Sequence, residues 1–93
     1  MQRAFGQRTR SLRRRLRALS QASNLADVPT DPPERRHQLT GDRKGQLAVM
    51  LTGNWRLIFE PDHDPVPLKD DGGLDLEQVT AIKFIEIVDY HGS

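Results

Sequence analysis

Gly53-Asn54 separates two stretches in which apolar residues alternate, Leu47, Val49 and Leu51 before it and Trp55, Leu57 and Phe59 after it. A period of two places every second side chain on one face of a strand. Gly-Asn supplies the backbone freedom that a two-residue hairpin turn needs. The spacing therefore predicts an antiparallel hairpin with one apolar face that some other element must cover. Arg56 and Ile58 fall on the opposite face of the return strand.

The cover is predicted from the start of the chain. Phe5, Leu12, Leu16 and Leu19 recur at helical intervals among arginines, which predicts an amphipathic helix from Phe5 to about Ala22 with one apolar stripe and a basic remainder. Pro29, Pro32 and Pro33 cannot continue it, so Asn24 to Pro33 reads as a connecting loop. Arg35 to Leu39 reads as a short strand that ends at the Gly41-Asp42 turn. Residues 61–78 hold three prolines, adjacent glycines and six acids, and read as an exposed, solvated acidic insertion. Val79 to Val88 is apolar on both faces, which predicts a strand central in its sheet. The resulting fold class is α+β: a basic N-terminal helix packed on a small antiparallel sheet of about four strands.

Ninety-three residues, 35% of them hydrophobic, supply one core, so residues 1–93 read as one domain and a multidomain enzyme is excluded. The absence of cysteine removes disulfides, zinc–thiolate sites and thiol nucleophiles, and fits a reducing compartment. No apolar run approaches the roughly 18 residues of a membrane span, and the arginine-rich start lacks the apolar stretch of a signal peptide. The expectation is a cytoplasmic protein without a membrane partner.

A net charge of +1 hides a division: residues 1–44 carry eleven Arg or Lys against four acids, and the remainder three against nine. A basic end of this kind attracts phosphates at long range. Two polar clusters accompany it, Arg35 to Gly45 with His37, Arg43 and Lys44, and Asp89-Tyr90-His91 at the end of the last strand, with Arg56 between them in sequence. Imidazoles move protons near neutral pH, and guanidinium groups hold phosphates bidentately. Attack by a ribose 2′-OH on its own phosphodiester needs only a base, an acid and charge stabilisation, which favours RNA over DNA. Plainer roles stand beside these: His37 capping a strand end, Asp89 to His91 as a polar terminus, Arg56 paired with Glu86 or Asp89, and Gly41 and Gly45 as turn residues. His37, Asp89 and His91 match no metal-ligand spacing, so neither a metal nor another cofactor is expected.

His37-Gln38-Leu39-Thr40-Gly41-Asp42-Arg43-Lys44-Gly45-Gln46, then Gly53-Asn54-Trp55-Arg56-Leu57-Ile58-Phe59, then Glu86-Ile87-Val88-Asp89-Tyr90-His91 together resemble the RelE/HigB-type toxins of bacterial type II toxin–antitoxin systems. The resemblance spans residues 35–93, and the Glu60-Pro61 to Asp71-Gly72-Gly73 insertion with Val79-Thr80-Ala81-Ile82 looks like the plasmid maintenance killer branch. It implies a RelE-like fold and an mRNA endonuclease acting in the ribosomal A site. Its implied partners are the ribosome and mRNA, a helix-turn-helix antitoxin of the HigA kind that neutralises it, and operator DNA reached through the antitoxin complex. By the same resemblance His37 is the catalytic or mRNA-contacting histidine, and Arg56 contacts the scissile phosphate. His91 is the general base, Tyr90 contacts a base of the RNA, and Asp89 orients its neighbours. Arg35, Arg36, Arg43 and Lys44 are RNA contacts. Two departures are evident: Thr40 stands where several relatives carry lysine, and the strand and helix that open many relatives are expected to be missing. They leave open an alternative, a catalytically weak or inactive toxin-like module that acts by binding its antitoxin and operator. Autonomous operator binding is disfavoured because no helix-turn-helix pattern is visible.

Overall fold

The computed structural model describes residues 2–51 and 53–89, and its architecture is α+β. Helix α1 spans Gln2–Gln21. The strands are β1 (His37–Gln38), β2 (Leu47–Met50), β3 (Trp55–Pro61) and β4 (Ile82–Asp89), antiparallel in the order β1-β2-β3-β4. Short 3-10 turns at Leu25–Asp27, Gly41–Arg43 and Leu76–Gln78 join them.

The apolar stripe of α1 does what its spacing predicts. Leu12, Leu16, Leu19 and Ala22 pack against one sheet face, whose Leu47, Val49, Leu51, Leu57 and Phe59 are buried together with Leu25, Val28 and Val79. Full burial of each such side chain contributes about 1.5–3 kcal/mol, so the cover matters more to the helix than its intrinsic propensity. Arg15 secures the helix from its polar flank, its Nε donating to the Met50 carbonyl at 2.6 Å. The Asn24 side chain accepts from the Ala26 N–H at 3.0 Å and starts the turn that carries buried Leu25. From there the Leu25 N–H donates to the Val79 carbonyl at 2.9 Å, which ties the start of the chain to the segment before β4.

Four expectations are corrected. The last strand lies at the edge of the sheet, with β3 on one side and no strand on the other among the described residues. An apolar pattern on both faces does not by itself supply a neighbour, and Phe84, Ile85 and Ile87 are left exposed. That strand also starts at Ile82 rather than Val79, because Val79 ends the Leu76–Gln78 turn and inserts into the core at 1% exposure. The hairpin connection is longer than two residues: β2 and β3 pair out to Met50–Arg56, and the Leu51 N–H donates to the Trp55 carbonyl, which leaves three residues in the bend. Gly53 supplies the left-handed φ of +68° there.

The insertion departs from a plain solvated loop. β3 continues to Pro61, which is buried and pairs with Ile82. Leu68 and Leu74 form an antiparallel bridge, closed by the Lys69 N–H donating to the Gly73 carbonyl at 2.7 Å. At its root, the His63 Nε2 accepts from the Thr80 and Ala81 N–H groups at 3.1 and 3.3 Å.

Candidate functional site

Strand register sorts the candidate residues by face. His37 is opposite Ala48, Ala48 opposite Ile58, and Ile58 opposite Glu86, so these four share one row across the sheet. The row lies on the open face, away from α1, because Leu47, Val49, Leu57 and Phe59 take the intervening positions on the helix side. The next open-face row is Met50, Arg56 and Val88. Strands about 4.8 Å apart and a rise of about 3.3 Å per residue put the Cα atoms of His37 and Arg56 roughly 12 Å apart, a gap that their side chains and one phosphodiester can bridge.

Arg43 joins this face from the turn after β1. Its guanidinium forms an ion pair with Glu86 of β4 and donates to the Gln46 side-chain oxygen at 2.9 Å. An arginine that reaches from the β1 side to β4 must cross β2 and β3. Ala48 and Ile58, the open-face residues there, have 0% exposure. The pairing of Arg56 with Glu86 considered from sequence therefore gives way to one between Glu86 and Arg43. Arg56 sits opposite Val88 and donates from Nη1 to the Trp55 carbonyl at 3.2 Å.

His37 is oriented by backbone. Its Nδ1 lies 2.9 Å from the Arg35 carbonyl, which can only accept, so the proton is on Nδ1 and the neutral ring presents a basic lone pair at Nε2. Arg35 offers that carbonyl from a φ of +48°, a left-handed conformation that is uncommon for a residue with a side chain. Nothing in the sequence signals this conformation.

The remaining basic candidates divide. Arg35 is exposed near His37. Arg36 is on the opposite side of the chain, where its Nε donates to the Val28 carbonyl at 2.8 Å, and burial lowers its pKa. It serves the fold. Lys44 borders a separate groove of about 390 Å³ between the 38–47 segment and the insertion, lined by Leu39, Leu47, Leu68 and Leu74. Asp89 pairs in register with Trp55. Tyr90 and His91 lie outside the described residues.

Sequence reasoning placed Glu86 beside Arg56 rather than Arg43, and missed Gln46 as the second partner of Arg43. Alternation along β4 carried a partial signal for Glu86, but its partner depends on a loop contact 43 residues away. Among the described residues no three His, Asp or Glu side chains gather where one metal ion could be held. No helix among them is long and apolar enough to cross a membrane. Comparison with known proteins finds no family that matches the chain and no curated protein that matches it.

Proposed function

We propose that this protein is a ribosome-dependent mRNA endonuclease of the RelE/HigB toxin type, with a RelE-like fold, acting in the cytoplasm and neutralised by a helix-turn-helix antitoxin through which it also reaches operator DNA. The observation that carries the reading is the shared open face: His37, with its Nε2 basic when neutral, lies on the same side of the sheet as Arg56 and Arg43. An imidazole and two guanidinium groups on one exposed face suit a phosphodiester whose charge grows during reaction.

In the proposed reaction the ribose 2′-oxygen loses its proton to His91 and attacks the adjacent phosphorus. The bond to the 5′-oxygen breaks, and that oxygen takes a proton from Nε2 of His37 in its imidazolium form, leaving a cyclic phosphate, a free 5′-hydroxyl and a neutral His37. Arg56 holds the phosphate, Tyr90 contacts a base, and Arg43 turns to the phosphate when the anion displaces Glu86. Arg35 and Lys44 contact RNA backbone around the site. Arg36, whose Nε donates to the Val28 carbonyl, takes no part in RNA contact, and Asp89 orients its neighbours.

Purified protein incubated with programmed ribosomes, with mRNA ends mapped, tests the reading. Cleavage is expected, and Arg56→Ala or His37→Ala should lower its rate about 100-fold or more while the fold persists. Equal cleavage by the folded variants would show the site to be elsewhere. A second reading, a module that binds antitoxin and operator without cutting, draws on the engagement of Arg43 with Glu86 and of Arg36 with Val28, which occupies two of the basic residues. It predicts antitoxin binding with no new mRNA ends in the same experiment.

A further inference from the structure

β4 is eight residues long, yet among the described residues only β3 pairs with it. Residues along such an edge direct their N–H and C=O groups outward in alternation, ready to pair with another extended chain. Among the described residues, three of the five exposed large apolar side chains are also on this strand, Phe84 at 49%, Ile85 at 38% and Ile87 at 42% exposure. An open hydrogen-bonding edge flanked by apolar side chains calls for a strand with apolar flanks of its own.

We propose that the occupant is β4 of a second copy of this chain, paired antiparallel about a two-fold axis between Ile85 and Glu86. The β3–β4 register slips between Ile58 and Phe59, so Phe84 shares the helix-side face with Phe59 and Ile87 shares it with Leu57, although the two are three residues apart. By the same pairing Lys83 and Val88 share the open face with Glu60 and Arg56. Paired strands must oppose side chains of the same face. With the bulge included, the register that keeps this match along the whole strand sets Phe84 against Ile87 of the second copy and Lys83 against its Val88.

Charge agrees with that register. Lys83, 61% exposed and 3.5 Å from Glu60 of its own chain, then also lies diagonal to Glu86 of the second copy, which keeps its own Arg43, and neither Glu86 faces its symmetry mate. The two Phe84–Ile87 contacts form one apolar cluster on the helix side. Lysines and bulges ordinarily discourage edge pairing; here they leave a single register open. The sheet's other edge, β1, has two residues and is too short to receive β4, so the contact closes as a dimer instead of propagating. The product is one continuous sheet of eight strands, twice the four of one chain, with both open faces on the same side.

Sedimentation equilibrium of the full chain tests the proposal, since a dimer doubles the 10.6 kDa mass. Self-association is expected, and Phe84→Arg should weaken it at least about tenfold with helix content and melting temperature retained, because the residue is exposed. The register is read separately: the chain has no cysteine, so a mixture of Phe84→Cys and Ile87→Cys proteins should give a mixed disulfide under mild oxidation more readily than either alone. A chain that stays monomeric up to its solubility limit, a dimer indifferent to Phe84→Arg, or preferential Ile87–Ile87 cross-linking would each overturn the proposal. These readouts do not involve RNA cleavage and stand or fall apart from it.

Discussion

The ion pair that joins Arg43 to Glu86 makes a quantitative prediction about the open face. Their side chains are 36% and 44% exposed, so water screens the pair, and exposed pairs of this kind contribute about 0.2–1 kcal/mol. The bond from Arg43 to Gln46 adds about 0.5–1.5 kcal/mol. Arg43→Met should therefore cost about 1–2 kcal/mol and Glu86→Gln about 0.5–1 kcal/mol, with a coupling between them of about 0.5–1 kcal/mol. In a domain of this length each 1 kcal/mol moves the melting temperature by roughly 4–8 °C, which calorimetry or circular dichroism resolves. A double-mutant cycle run at low and high salt is the assay, and the coupling should shrink as salt rises because both groups reach solvent. Zero coupling at low salt would mean that the bridge is not formed in solution. A coupling above about 3 kcal/mol that ignores salt would mean that the charges are desolvated, and either result refutes the account of this face.

Other predictions concern packing, the insertion and the anion site. Ile58→Ala should cost about 2–5 kcal/mol in urea unfolding, because Ile58 is fully buried on the open face; a cost under about 1 kcal/mol would mean that nothing covers it. His63→Ala removes the acceptor shared by the Thr80 and Ala81 amides, so hydrogen exchange at those two positions should accelerate while β2 stays protected, and unchanged exchange would count against the contact. Glu86→Gln frees Arg43 of its carboxylate, so on the proposed function it should tighten binding of short RNA several-fold at low salt; weaker binding would assign Glu86 a direct role in RNA contact.

Much of the fold is legible in the chain because its signals are local. Leu12, Leu16 and Leu19 face the core since the helix repeats every 3.6 residues, and Leu47, Val49, Leu57 and Phe59 do so because strands repeat every two. The open-face position of Arg56 follows from the same alternation, and that of His37 from its pairing with Ala48. The site is less legible. Glu86 becomes the partner of Arg43 through the path of the Gly41–Arg43 turn, and Arg36 is drawn away by the Val28 carbonyl, neither of which any spacing encodes. The Leu68–Leu74 bridge inside an acidic, proline-rich stretch was hidden because backbone bonds, rather than side-chain periodicity, close it.

The edge position of β4 marks the boundary most clearly. Residue order alone establishes which side chains of a helix or strand lie together, since that depends on bond geometry within a few residues. Whether Phe84, Ile85 and Ile87 are covered depends on which distant segments lie beside them, and so does the choice of partner for each charge on the open face. Burial and pairing are properties of neighbours in space, and those neighbours exist only once the chain has closed on itself.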